Sequence, residues 1–181
     1  MRKTIPLLLL AIVWLPKTYA QKIIAKESKV EFKIGNMGLG SVSGTISGMK
    51  GTVKFDRKSL NSSMFDVSIS PSTIDTDSEK RDEHLKNEDF FNVANHLTIT
   101  FTSYSIEREE DTYVTKGKLT ILNTSKDIEI PFTVKEEGTK ITFEGKIEVN
   151  RFDYGLAAES YKSTFMVGEV AEVKIICVIQ E

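Results

Sequence analysis

Asp127-Ile128-Glu129-Ile130-Pro131-Phe132-Thr133-Val134 carries an apolar residue at every second position, with a polar residue or proline between. A period of two is that of a β-strand, whose successive side chains point to opposite faces. The stretch therefore reads as a strand with one wet and one apolar face. Pro131 has no N–H to give to a ladder, so its strand is expected at an edge or with a bulge at that point. The same alternation recurs outward from it. Val30, Phe32 and Ile34 alternate with Lys29, Glu31 and Lys33; Phe65, Val67 and Ile69 alternate with Asp66 and Ser68; Leu97, Ile99 and Phe101 alternate with three threonines. Downstream, Ile141, Phe143, Ile147 and Val149 alternate with Lys140, Thr142, Lys146 and Glu148.

One-sided strands must bury their apolar faces, and the chain offers few helical stretches to cover them. Short polar connections at Asn61-Ser62, Glu109-Glu110-Asp111 and Glu136-Glu137-Gly138 read as hairpin turns. The chain is thus all-β, with antiparallel strands forming a sandwich or, as the preferred architecture, a sheet closed into a barrel of about eight strands. A barrel of that size either fills with its own side chains or holds one slim ligand, and periodicity leaves both open. Alternation puts Phe32, Ile34, Phe65, Val67, Ile69, Ile99, Phe101, Leu119, Ile121, Phe143, Ile147 and Val149 on the inward face. Gly44, Gly48, Gly51 and Gly145 either free volume inside or permit tight strand bends.

The first twenty residues read differently. A positive start at Arg2-Lys3, an apolar run from Ile5 to Leu15 and small residues ending at Ala20 have the form of a secretory signal peptide cleaved near Ala20. The apolar run is shorter than the roughly 20 residues a spanning helix needs. Residues 21–181 then form a single domain, exported to the periplasm or secreted. Its 24 basic residues fall to 21 against 26 acidic ones, a formal charge of about −5, which argues against nucleic acid as a partner. Cys177, the single cysteine, has no partner for an intramolecular disulfide and reads as a buried strand residue.

Two segments interrupt the strands. Thr76 followed three residues later by Glu79 suggests a capping box and a short helix reaching about Asn87. Phe152 to Gly168 is a long loop with apolar residues, a candidate lid that places Tyr154, Tyr161 and Phe165 near a barrel mouth. The helix carries Arg81-Asp82-Glu83-His84-Leu85, a cluster that could contain a general base. Its catalytic companions are missing. There is no Gly-x-Ser-x-Gly elbow, His96 is the only other histidine, and neither His-x-Glu nor Cys-x-x-Cys occurs, so no catalytic residue, metal or cofactor is assigned. The cluster reads as a helix fastening, with Leu85, Phe90 and Phe91 plugging one barrel end and Arg81 or His84 as candidate head-group contacts.

Ser28-x-Val30-x-Phe32-x-Ile34, Gly51-Thr52-Val53-Lys54-Phe55-Asp56, Arg81-Asp82-Glu83-His84-Leu85, Asp89-Phe90-Phe91, Gly117-Lys118-Leu119-Thr120-Ile121 and Asn150-Arg151-Phe152-Asp153-Tyr154-Gly155 follow one another in an order that resembles the YceI-like family. The resemblance runs from about residue 28 to 179. It implies an extended lipocalin-like antiparallel barrel, without enzymatic activity, that holds a long isoprenoid lipid or quinone as ligand. A membrane or an envelope protein would be the partner for loading and release, and the oligomeric state stays open. The family often has a histidine where this chain has Asn36. Two other readings stand beside this one: an enzyme acting on a bound lipid or quinone through His84, and a solid-core interaction or stress module of the cell envelope.

Overall fold

The computed structural model describes residues 21–36, 40–157 and 167–180. Among these lie ten strands: β1 Gln21–Ile23, β2 Lys29–Gly35, β3 Ser41–Ser47, β4 Lys50–Lys54, β5 Met64–Ile69, β6 Ile99–Glu109, β7 Thr112–Ile121, β8 Thr124–Glu137, β9 Lys140–Asn150 and β10 Val170–Gln180. One eight-residue helix, α1 Glu79–Lys86, sits in the crossover from β5 to β6. All pairings are antiparallel, and the sheet closes where β1 bonds both β4 and β10. The expected sequence signal peptide lies outside the described residues.

Ten strands make eight staves. β1 and β2 follow one another along β10, Ile23 opposite Ile179 and Lys29 opposite Ile176, so five residues of turn interrupt a single stave. Ser28, almost fully buried, repairs that break: its hydroxyl donates to the carbonyls of Ile24 (3.0 Å) and Val178 (3.3 Å) and accepts the Val178 N–H at 2.9 Å. A side chain thereby does what a ladder bond would do, which keeps a buried backbone group satisfied. β3 and β4 form a second broken stave around Gly48 and Met49. Gly51, at φ +129°, brings β4 hard against β5, where a Cβ would lie 2.1 Å from the Asp66 carbonyl oxygen. No other residue fits that approach.

The β8–β9 ladder stops at Phe132 opposite Gly145. In its register Pro131 would face Lys146, and proline has no N–H to bring to a ladder. Two residues further on, Glu129 would oppose Glu148, a like-charge pair that sheets disfavour. The strand containing the proline therefore acts as an edge from Pro131 upward, in agreement with the expectation from sequence, although β7 pairs with it along its whole upper half.

The two ends of the barrel differ. At the end holding the β6–β7 and β8–β9 turns, Phe55 folds in from the loop after β4 and meets Tyr113, Phe132 and Phe143 edge-on, with ring centroids 5.4, 6.2 and 5.1 Å away. Phe65 adds edge contacts to Phe132 (5.5 Å) and Phe143 (5.2 Å). Five rings in such contact gain about 0.5–1.5 kcal/mol per pair beyond their burial. At the other end α1, Phe90 and Phe91, and the residues after β9 lie across the opening.

α1 corrects one expectation. Thr76 is not its cap: Asp77 adopts a left-handed conformation (φ 58°), the chain bends, and Ser78 takes the cap position without a side-chain bond. Thr76 is instead buried and serves as the helix's anchor. Its N–H (3.0 Å) and hydroxyl (2.5 Å) both donate to Asp82 Oδ1, while Arg81 Nε donates to its Oγ1 (2.8 Å) and Arg81 Nη2 to its carbonyl (2.6 Å). Glu79 and Asp82 in the first turn and Lys86 in the last suit the helix dipole. Truncating Asp82 to alanine strands the buried Thr76 amide, so urea unfolding should show a loss of about 1–3 kcal/mol. An unchanged midpoint would show that the anchor carries nothing.

Candidate functional site: the barrel interior

The barrel is filled at one end and hollow at the other. An apolar cavity of about 230 Å³ occupies the half beneath α1. Of the inward positions read from sequence, Phe32, Ile34, Val67, Ile69, Ile99, Phe101, Leu119, Ile121, Ile147 and Val149 line it. Phe65 and Phe143 do not; they belong to the ring plug below. Their alternation is right, but the bore is closed at their level by Phe55, which comes from a loop that no strand periodicity describes.

Sequence reasoning left out a good part of the wall. β10 contributes Ala171, Val173 and Ile175, β8 contributes Ile128 and Ile130, and the β3–β4 break contributes Met49. Leu85, Phe90 and Phe91, expected to plug one barrel end, line the cavity from α1 and its following turn. Ala171, Val173 and Ile175 do alternate with Glu172 and Lys174, but the strand runs on from Ile175 to Ile179 apolar at every position, which blurs the period. Met49 follows Gly48 (φ +79°) and is turned inward by a backbone irregularity rather than by alternation.

Glycines do not hollow this space. Gly44 and Gly117 lie under the rings of Phe32 and Phe101, where a Cβ would come within 2.5 and 2.6 Å of ring carbon, and Gly145 lies under Ile130. Each glycine makes room for a larger neighbour instead of for a ligand.

Arg81 and His84 are not among the lining residues. They flank an open surface depression with Ser78, Lys80, Glu83 and Asn87 on the outer side of α1. For His84 the reason is helical geometry: Leu85 points into the bore, and a residue one position earlier turns about 100° away. Arg81, one turn before Leu85, is instead drawn back by its bonds to the Thr76 hydroxyl and carbonyl. His84 Nδ1 lies 3.0 Å from the Asn87 side-chain amide, and its ring meets Phe90 edge-on at 5.1 Å. Tyr154 is buried with Ile121 and Leu156 beside the cavity rather than in its wall, and burial raises the pKa of its phenol from the ordinary value, with Asp153 adding to the effect. Tyr161 and Phe165 lie outside the described residues.

Among the described residues, the one charged side chain in the cavity wall is Arg151, 5% exposed. It follows β9 directly. Nε donates to the Gly168 carbonyl (2.9 Å), Nη1 to those of Leu156 (3.0 Å) and Ala157 (3.4 Å), and Nη2 to that of Val167 (3.4 Å). Its guanidinium carbon also lies 4.0 Å from the centroid of the Phe152 ring. Burial lowers its pKa from the usual value and Glu169 opposes this; a guanidinium so basic stays charged regardless. Arg151 ties both ends of the segment after β9 to the rim of the barrel. The sequence showed it only as part of Asn150-Arg151-Phe152-Asp153-Tyr154-Gly155, without a role.

Chemically the interior offers hydrocarbon. Among the described residues no three His, Cys, Asp or Glu side chains gather as a metal-holding group. Cys177 lies deeper in the bore, where burial pushes its thiol up to about 12 from 9.0. Two results should follow. Alkylation at pH 8 should be negligible in the native protein and complete in denaturant, read by mass. Above pH 9 the unfolded chain releases the thiol proton that the native state retains, so stability should fall with rising pH from about 9 toward 12. Replacing Cys177 by alanine should flatten that part of the profile.

Comparison with known proteins agrees with this architecture. Residues 21–179 match the YceI-like domain. The chain belongs to the YceI-like family. Protein YceI of Salmonella arizonae is 30% identical over 132 residues, covering 68% of this chain and 69% of that protein. The UPF0312 protein of Pectobacterium atrosepticum is 32% identical over 101 residues, which span 56% of this chain and only 53% of its own length. Among solved structures, BcnA of Burkholderia cenocepacia superposes with a TM-score of 0.81 at 23% identity, covering 86% of this chain and 98% of that one. A polyisoprenoid binding domain from Saccharophagus degradans gives 0.70 at 12% identity, covering 89% and 98%. These likenesses show that the YceI-like barrel is retained at low identity. In this YceI-like domain Asn36, just beyond β2, donates its N–H to the Gly40 carbonyl at 3.0 Å.

Proposed function

We propose that this protein is a non-enzymatic lipid holder, exported through its N-terminal segment, that carries one isoprenoid or quinone-like molecule with its apolar chain in the upper bore. The observation that carries this reading is the cavity itself, about 230 Å³ of almost unbroken hydrocarbon wall inside a barrel closed at its other end by packed rings. An apolar void of this kind stays dry and is costly unless an apolar guest fills it. The polyisoprenoid binding domain from Saccharophagus degradans, which shares the barrel, supports the class of guest.

The magnitudes bear on how such a molecule leaves. A tail of about fifteen carbons gains about 12 kcal/mol on paper at about 0.8 kcal/mol per buried methylene. Ordering the tail offsets part of this, yet release into water stays slow, and a membrane or envelope protein would be needed to take the lipid over. The unpaired stretch between β8 and β9 supports a sideways path: Ile128, Ile147 and Val149, which point inward beside it, are only half-buried.

The enzyme reading through His84 finds no support, since that ring is on the outer side of α1. A solid-core module does not describe the hollow half. Native mass spectrometry of protein purified without detergent, and again after incubation with prenyl alcohols, tests the proposal. A co-purifying or acquired apolar adduct is expected, and protein that neither carries nor takes up such a molecule would overturn it.

A further inference from the structure

Beneath the main cavity lies a second, smaller one of about 60 Å³. The two share Met49, Val67, Phe101, Ile130 and Ile175 as a common wall, so the smaller continues the bore of the larger. Its floor is the ring plug, reached at Phe132 and Phe143. Its sides are made by residues that are small for their depth. Cys177 is 5% exposed, and Thr115, 3% exposed, spends its hydroxyl on the Ser105 carbonyl at 3.2 Å. Leucines at these two places would pack the space shut. Retaining an unfilled apolar void costs stability, which argues that something occupies it. At the neck stands Met49, delivered there by the Gly48 break between β3 and β4; an unbranched thioether is the side chain best able to move aside and repack around a guest.

We infer that this lower chamber receives the terminal end of the apolar tail, and that Cys177, Phe143 and the Met49 neck set the longest chain the protein accepts. The inference rests on the lipid-holding reading above and adds its length specificity. A tail that stops short of the neck touches only the upper wall. One that passes Met49 gains the contacts of the chamber, and one longer still meets the Phe132 and Phe143 rings and must leave its excess outside the barrel.

The test uses the intact protein and a series of linear prenyl alcohols of increasing length, each equilibrated with wild type, Cys177→Leu and Phe143→Leu, with uptake read by native mass spectrometry and melting followed in parallel. Cys177→Leu fills the chamber and should lower affinity for the longest accepted member by about tenfold or more while sparing the shortest. Phe143→Leu deepens the chamber and should move the limit toward longer chains; if one variant fails to fold, the other still decides. An unchanged length limit in a folded variant overturns the inference while the lipid-holding reading stands. Wild type that takes no member of the series overturns that reading, and the inference with it.

Discussion

Replacing Arg151 by methionine is expected to lower the free energy of unfolding by about 3–5 kcal/mol and the melting temperature by about 10 °C. Methionine keeps much of the apolar stem and supplies no donor. The carbonyls of Leu156, Ala157, Val167 and Gly168 then lose the group they share. Each buried acceptor left without a partner costs about 1–3 kcal/mol, less where water can reach it, and for a chain of this size a loss of 1 kcal/mol corresponds to roughly 2–4 °C. Lysine at the same position should recover little, since a single ammonium cannot span carbonyls that the planar guanidinium reaches from three nitrogens. Urea and thermal unfolding of both variants measure this. A loss under about 1 kcal/mol would mean that the segment after β9 is held by its side chains alone.

Ile147→Trp should do the opposite, leaving the fold nearly intact while abolishing lipid uptake. Ile147 points into the cavity beside the stretch where β8 and β9 do not pair, and it is only half-buried. A larger ring there enters open space rather than packed atoms, so the overpacking cost should stay at or below about 1–3 kcal/mol. The guest would lose its room in the upper bore, and uptake of a prenyl alcohol should fall by at least about a hundredfold, equivalent to about 2.7 kcal/mol. Glu148→Gln, next to it on the outer face, is the control and should bind as wild type does. Undiminished uptake by a folded Ile147→Trp protein would place the lipid elsewhere.

Much of the barrel was legible because period-two alternation has a single physical meaning, and the strands at Lys29–Ile34, Asp127–Val134 and Lys140–Val149 point as their sequences say. Pro131 also announced itself correctly, since a missing N–H has the same consequence in any fold. The cap at Thr76 failed for a local reason that pattern cannot see: Asp77 enters a left-handed conformation, and a residue spaced correctly for a capping box becomes the far end of a latch to Asp82 and Arg81. Arg81 and His84 looked like mouth residues because the cluster is chemically rich, but helical rotation turns His84 away from the face that Leu85 presents to the bore, and Arg81 is spent on Thr76.

By itself, then, the sequence determined the strands with their one-sided faces and the YceI-like resemblance, because these follow from local periodicity and ordered motifs; closure into a barrel rather than a sandwich was decided by the long-range pairing of β1 with β4 and β10. Whether the barrel is hollow was settled only in three dimensions. The same alternating apolar residues make a packed plug where Phe55 folds in from a loop and an empty chamber where nothing does. Arg151 gained its role in the same way, from carbonyls up to 17 residues away that no local pattern could bring to it.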